Sequence, residues 1–481
     1  MIEIKNYING ELLKSSNKNN LDIFNPSIGK IYAQCPNSSE KDLETAITSS
    51  EKAFLKWSRL KQIDRSQFLL KIASLIECNL DEFAKAESMD NGKPLKLSQS
   101  LDIPRSIKNL KFFATIANDL ETESFTQRKV KSHILRQPLG IVGTISPWNL
   151  PLYLFTWKIA PALVVGNCVI AKPSEITPYS AYLFSKICIE ANLPKGVLNV
   201  LHGSGKVIGR KIVNHKKIKA ISFTGGTDTG KEIAKKASNH LKKISLEMGG
   251  KNPVIIFDDC NYNQMINSLI KSSFLNQGQI CLSGSRIYIQ ETIYNKFKKD
   301  FIAKTKKLRI GDPFNKNTDQ GAIVSEEHLN KILNYIKYAK EEGGKIILGG
   351  NIPKVDSKLS SGWYFTPTVI ENLSQKSKLN KEEIFGPVVT LNKFKDSEDA
   401  IKMANDNDYG LASIIWTDDP NKANKLAERL ESGLVWINCW LERDLRTPFG
   451  GIKNSGYGKE GGKYAIDFFT ESKNICIKYY D

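Results

Sequence analysis

The sequence predicts an α/β fold, with a Rossmann-like domain, a second α/β domain and a small β element. Three observations carry this expectation. Short apolar strands alternate with helices between about residues 134 and 223, the pattern of a parallel sheet with crossover helices. A second series of strand candidates follows Glu247. The chain has 481 residues, too many for one hydrophobic core, so two domains, or three with a small appendage, are expected.

After a short β start, the first hundred residues read mainly as helices. Ser39 to Trp57 has helical periodicity, with Ser39 as N-cap. Arg65 to Met89 reads as a second helical region. The texture then changes. Ile134 to Ile145 is β-rich and broken by glycines, and Cys168–Lys172 reads as a short buried strand. Ser180–Ala191 reads as a helix, Val197–Leu201 as a strand, Gly205–Val213 as helical and Lys219–Phe223 as a strand. In the second region the strand candidates are Pro253–Phe257, Ser285–Gln290, Val388–Leu391 and Ala412–Trp416. The last sixteen or so residues read as one exposed strand, an open edge unless another subunit covers it, so oligomerisation is expected.

Composition narrows the function classes. Hydrophobic content of 41% and charged content of 25% are ordinary for a soluble globular protein. No apolar run approaches 18 residues, so no membrane span is expected, and the first residues do not read as a signal peptide. The eight cysteines are scattered and form no C-x-x-C pair, which argues against zinc and against a disulfide framework and suits a reducing cytoplasm. The net charge of +18 invites a nucleic-acid reading. Only 11 of the 69 basic residues are arginines, however, and the lysines lie scattered beside acids, with no basic cluster interleaved with stacking aromatics. Solvated helix faces account for them, and neither nucleic acid nor membrane is expected as a partner.

Cys281 is the one cysteine whose setting suggests chemistry. It lies in Phe274-Leu-Asn-Gln-Gly-Gln-Ile-Cys-Leu-Ser-Gly284, among polar residues and glycines, neither a helical stripe nor a buried strand. Glu247 stands 34 residues upstream on the glycine-rich turn Leu246-Glu-Met-Gly-Gly-Lys251. A thiol nucleophile and a carboxylate base suggest covalent catalysis through a thioester. None of the five histidines lies in a catalytic-looking stretch, so a Cys–His pair is not expected. A free thiol of pKa about 8.5 is only about 3% ionised at pH 7, so a cofactor's positive ring, or Glu247 through water, must help.

Two glycine-rich turns compete as nucleotide sites. Gly203-Ser-Gly-Lys-Val-Ile-Gly209 is a literal G-x-G-x-x-G, yet a lone match is weak and a tight strand-to-helix turn is the favoured reading. Phe223-Thr-Gly-Gly-Thr-Asp-Thr-Gly230 follows a strand and precedes a helix expected from Lys231, whose first N–H groups can face phosphate. Ala171-Lys-Pro-Ser-Glu175 puts Lys172 and Glu175 at a strand end, where each can bond a ribose hydroxyl, or where they can be a surface lysine and a helix-start glutamate. A glutamate there would repel a 2′-phosphate, favouring NAD over NADP. Asn149, in Ser146-Pro-Trp-Asn-Leu-Pro151, is a stiffly held amide suited to an oxyanion hole or a plain turn residue.

These segments together resemble the NAD(P)-dependent aldehyde dehydrogenase superfamily along the entire chain. The matches stand in the family's order: Pro147–Pro151, Lys172–Glu175, Phe223–Gly226, Leu246–Gly250, Gly278–Cys281, Glu383-Ile-Phe-Gly-Pro387 and Pro448-Phe-Gly-Gly451. The resemblance implies an aldehyde dehydrogenase-like α/β fold with a Rossmann-like cofactor domain. It implies Cys281 as nucleophile, Asn149 and the Cys281 N–H as oxyanion donors, and Glu247 as the base for thioester hydrolysis. It also implies NAD held by Lys172, Glu175 and Glu383 at ribose hydroxyls, by the Gly225–Gly230 turn (Gly225, Gly226 and Gly230) at the pyrophosphate, and with Trp148 and Phe385 nearby. The expected domains are 1–119 with 140–250 for NAD, 251–448 for catalysis, and 120–139 with 466–481 as oligomerisation strands of a homodimer or homotetramer. No metal is expected.

The stretch Asn438-Cys-Trp-Leu-Glu-Arg-Asp-Leu-Arg-Thr-Pro-Phe-Gly-Gly451 bears on the substrate, as does Asp102-Ile-Pro-Arg-Ser106. Both look like the 2-hydroxymuconic and 2-aminomuconic semialdehyde dehydrogenase branch. That likeness implies Arg105 and Arg443 as binders of a substrate carboxylate, with Arg446 a weaker candidate. The competing reading pairs these arginines with Asp102, Glu442 or Asp444 as structural bridges. Lys459 departs from the branch, which has arginine before this glutamate. Other aldehydes, semialdehyde or betaine-type, stay open at this point, as does a non-catalytic binding protein on the same fold.

Overall fold

The computed structural model describes residues 1–17, 19–116 and 123–480. Two parallel-centred sheets organise it. The first has eight strands, in the order Gly456–Tyr457, Lys243–Glu247, Ile218–Thr224, Ile141–Ile145, Cys168–Lys172, Leu198–Val200, Asn6–Ile8 and Glu11–Leu13. Its five central strands are parallel, and antiparallel strands close both sides. Chain order runs outward both ways from the pair Ile141–Ile145 and Ile218–Thr224. That pair is therefore the topological switch point, where the strand ends leave a crevice for a ligand.

These strands are buried on both faces, so they read as continuous apolar runs. Val142, Val169, Ala171 and Ala220 enter one core, while Ile141, Ile170, Ile221 and Phe223 enter the other. Helix Pro151–Val164 is buried at every position and packs against helix Ile103–Ile116. A helix apolar all round belongs in an interior. The exception within it, Lys158, is neutralised by Glu460 at 2.8 Å.

The second sheet has seven strands, ordered Lys345–Leu348, Thr368–Glu371, Val388–Phe394, Gly284–Gln290, Asn252–Ile256, Ala412–Trp416 and Leu434–Ile437. A third, small antiparallel sheet joins Thr470–Lys478, Val130–Pro138 and Ser124–Gln127.

Several expectations shift. The first hundred residues carry five strands between Ile2 and Pro36, three of them in a separate sheet, before any helix. Ser39 caps helix Glu40–Trp57 through a full capping box with Asp42. The single helical region expected over 65–89 is two helices, Gln62–Cys78 and Leu80–Asn91, broken at Asn79. The helix expected from Lys231 begins four residues earlier, at Thr227. The stretch 466–481 opens on the end of helix Gly462–Phe468, and its exposed strand is Thr470–Lys478. Strands Lys243–Glu247, Thr368–Glu371 and Leu434–Ile437 were not anticipated. The expected boundary at 119/120 lies outside the described residues. Among the described residues no helix is long and apolar enough to cross a membrane, and no cluster of three His, Cys, Asp or Glu could hold a metal.

Candidate active site

Two cavities adjoin at Cys281, beyond the carboxyl ends of the switch-point strands. One, of about 670 Å³, is lined by Trp148, Asn149, Thr224, Gly226, Cys281, His328, Glu383 and Phe385 among others. The second, of about 570 Å³, is mainly apolar: Leu150, Tyr153, Leu154, Leu282, Leu441 and Phe449 surround Glu247, Arg443 and Glu460. A third, of about 790 Å³, continues past Glu175, Gly205 and Phe223 between two helices.

The loop carrying Cys281 is overdetermined. Asn276, Gln277 and Gly278 all have left-handed φ, at 52°, 56° and 68°. A Cβ at Gly278 would meet the Gly386 backbone. The strained amides are locked by hydrogen bonds: Asn276 Nδ2 donates to Asn149 O at 3.0 Å and Gln277 Nε2 to Ala322 O at 2.8 Å. Strain sustained this way is characteristic of functional sites. Asn252 Nδ2 grips Cys281 O at 2.7 Å, and Trp440 Nε1 grips Leu282 O at 2.9 Å. Burial pushes the half-buried Cys281 thiol up to about 12, with Glu383 and Glu247 adding to the effect and Arg443 opposing it.

Asn149 is buried, and its Nδ2 donates to Gln279 O at 3.1 Å. An amide nitrogen carries two hydrogens, so one anchors the side chain and one is left to serve the cavity. Its peptide oxygen accepts from Lys93 Nζ at 2.9 Å. Glu247 ends its strand against Gly450, where any side chain would collide with its carboxyl. Burial and the nearby Glu460 raise the Glu247 pKa well above the carboxylate range, while Lys158, Lys459 and Arg443 oppose. Glu460 accepts from Lys158 at 2.8 Å and from Trp157 Nε1 at 2.8 Å. Lys459, the departure noted in sequence, donates to Gly450 O and to Gly451 O, holding the turn under Glu247.

The cofactor-side residues fall less simply than expected. Lys172 and Glu175 bond each other, Nζ to Oε2 at 2.7 Å, and Glu175 Oε1 also accepts the Gly205 N–H at 2.9 Å. Burial works against the Glu175 carboxylate, but Lys172 outweighs it and holds the pKa below the usual value. The Gly203–Gly209 stretch is a wall of the outer cavity, with one of its N–H groups engaged by Glu175. Gly225 N–H donates to Glu247 O, and Gly230 N–H to Gly226 O. A Cβ at Gly230 would strike the Met248 sulfur, so this glycine serves helix-to-strand packing. The donors a helix leaves for an anion are therefore those of its first turn, Thr227 to Thr229, beside Gly226, whose open side faces empty space. Glu383 Oε1 accepts the Gly250 N–H at 2.9 Å, and burial raises its pKa.

Phe385, at φ 62°, stands edge-on to Trp148 with centroids 5.2 Å apart. His328 joins this wall: its Nε2 contacts Phe385 O at 2.7 Å and its ring lies 5.2 Å from Trp148. Burial lowers the His328 pKa to about 4. Sequence reading missed it, because only tertiary folding brings the start of helix Glu326–Glu341 to the cavity.

Arg105 and Arg443 come together. Arg105 lies over Tyr153 at 5.0 Å and Trp157 at 5.7 Å; Arg443 lies over Phe449 at 3.7 Å and Trp157 at 4.7 Å. Neither forms a salt bridge among the described residues: Arg105 Nε donates to Asn109 and Arg443 Nη1 to the Tyr153 hydroxyl at 3.4 Å. Both Nη2 atoms are buried with no hydrogen-bond partner among the described residues. Burial, with Arg443 adding repulsion, lowers the Arg105 pKa to about 10. Asp102 pairs with Lys93, so the structural bridge considered for Arg105 does not form. Arg446 instead pairs with Asp444 on the exposed surface.

An enzyme with cavities that meet at Cys281, beside the switch point of a nucleotide-type sheet, is the class this arrangement defines. The chain belongs to the aldehyde dehydrogenase family, whose family model matches residues 13–475. It is 43% identical to the 2-aminomuconic semialdehyde dehydrogenase of Mus musculus, over 100% of this chain and 99% of that one. It is 38% identical to the 2-hydroxymuconic semialdehyde dehydrogenase of Pseudomonas sp. (strain CF600), over 99% and 100%. Among solved structures, the betaine aldehyde dehydrogenase of Staphylococcus aureus in complex with NAD+ superposes with a TM-score of 0.96 at 37% identity, covering 99% of this chain and 95% of that one.

Proposed function

We propose that this protein oxidises an aldehyde that also bears a carboxylate, 2-hydroxymuconic or 2-aminomuconic semialdehyde, to the corresponding acid with NAD. The observation that carries the substrate class is the pair of partly buried guanidiniums of Arg105 and Arg443, each with a buried Nη2 and no salt bridge among the described residues, beside the apolar cavity that leads to Cys281. Buried cations with orphaned donors are costly, and a planar carboxylate satisfies them bidentately. The same pair disfavours a betaine-type aldehyde, whose quaternary ammonium would meet like charge.

NAD fits the groove. The helix start at Thr227 suits its pyrophosphate, and Glu175 disfavours a 2′-phosphate. Lys172, Glu175 and Glu383 would hold ribose hydroxyls, and the Trp148–Phe385 wall would flank the ring. When bound, the nicotinamide would supply a hydride acceptor and a positive charge. The chain's own residues do the rest. The Cys281 thiol releases its proton to water, the thiolate Sγ adds to the aldehyde carbon, and the new oxyanion accepts hydrogen bonds from the second Asn149 amide hydrogen and the Cys281 N–H. Once the hydride has left the carbon, an acyl thioester remains on Cys281. Glu247 then takes a proton from the water that attacks the thioester, and the acid leaves with the thiolate restored.

The domain division of 1–119 with 140–250, 251–448, and 120–139 with 466–481 completes the proposal. Strand Thr470–Lys478, with exposed Phe125, Leu135, Ile477 and Tyr480 around it, suits a homodimer or homotetramer interface. All eight cysteines are free thiols, which suits a reducing cytoplasm. Incubating the purified protein with NAD and a muconic semialdehyde, and following NADH together with the acid product by mass spectrometry, tests the function. One acid formed per NADH supports it; absence of both refutes it.

A further inference from the structure

Lys93 is fully buried behind Asn149, and nothing in the catalytic cycle above uses it. Helix Leu80–Asn91 ends on Gly92, whose φ of 81° turns the chain back so that Lys93 points inward. Its Nζ makes an ion pair with Asp102 and lies 3.6 Å from Glu87 Oε2. The remaining bond goes to the Asn149 peptide oxygen at 2.9 Å. Glu87 in turn accepts the Leu152 N–H at 2.7 Å. One buried cluster therefore grips the segment 149–152 at both ends, a carbonyl at one and an N–H at the other. Burying an amine with two carboxylates is a costly way to pack an interior, and apolar residues would do that better. What the cluster supplies is orientation, because fixing the Asn149 peptide plane fixes where its side-chain amide points.

We propose that Lys93 is a positioning residue for the oxyanion donor, holding the Asn149 peptide so that Nδ2 addresses the carbonyl attacked by Cys281. This rests on the reading of Asn149 as that donor. A misplaced catalytic group costs up to about 100-fold in rate. The test is a double-mutant cycle on the full-length enzyme, read as the single-turnover rate of NADH formation, with the KM for NAD and the melting temperature measured alongside.

Lys93→Met is expected to slow the single turnover by about 10- to 100-fold, leaving the KM for NAD near its original value. In an Asn149→Ala background the same substitution should cost almost nothing further, because the group it positions is gone. A structural role would lower stability and rate alike in both backgrounds, and equal losses would overturn the role of Lys93. Asp102→Asn, which keeps the volume and loosens the amine, should follow the same pattern with a smaller loss. It decides the question by itself if Lys93→Met does not fold. An Asn149→Ala enzyme with undiminished single-turnover rate would overturn the oxyanion reading and this proposal together; additive losses would overturn only the latter.

Discussion

Arg105 and Arg443 reach Tyr153 and Trp157 from opposite ends of the sequence, and each keeps a buried Nη2 without a hydrogen-bond partner among the described residues. Aromatic faces hold the two cations without neutralising them. Arg105→Ala is expected to cost about 2–5 kcal/mol in kcat/KM for a carboxylated aldehyde. Arg446→Ala should leave kcat/KM within about two-fold, because Arg446 is committed to Asp444 at the surface, where such pairs contribute little. Steady-state kinetics on the two variants checks both outcomes.

The Cys281 thiol, pushed up to about 12 by burial and flanking carboxylates, is almost wholly protonated in the cofactor-free enzyme. Only the thiolate reacts. Alkylation of Cys281 by iodoacetamide should therefore accelerate about tenfold per pH unit from 7 to 9, without levelling. A plateau in that range would show that another group lowers the thiol.

Glu247 titrates above the usual carboxylate range because it is buried beside Glu460, so its basic form grows as pH rises. Its part in thioester hydrolysis should grow with it. Glu247→Gln is expected to keep a stoichiometric burst of NADH while steady-state turnover falls by about 100-fold or more. Loss of burst and turnover together would assign Glu247 to the first half of the reaction.

Gly230→Ala tests packing rather than chemistry. The added methyl meets the Met248 sulfur, which must shift; overpacking of this kind costs about 1–3 kcal/mol, less the roughly 1 kcal/mol that alanine gains over glycine in a helix. Denaturant unfolding should show a lower midpoint with an unchanged slope.

Much of this was legible in sequence because it is local. Strand Cys168–Lys172 shows as a bounded apolar run, and the Ser39 cap as Ser-Glu-Lys-Asp. What was lost depends on distant segments meeting. Nothing near His328 marks it as part of the Trp148–Phe385 wall, because 180 residues separate it from Trp148 in the chain. Gly225 and Gly230 read as phosphate donors until the structure shows their N–H groups spent on Glu247 and Gly226. The break at Asn79 is hidden because apolar periodicity continues on both sides of it.

The central claim is that the enzyme selects its aldehyde by a carboxylate held by Arg443. The most direct test is the ratio of kcat/KM for a carboxylated aldehyde to that for its methyl ester, in the native enzyme and in Arg443→Ala. The ratio should be about 30-fold or more in the native enzyme, the lower bound for a buried charge partner. In the variant it should fall by about tenfold or more, Arg105 holding what preference remains. A native ratio near one, or a ratio unchanged by the substitution, would contradict the account.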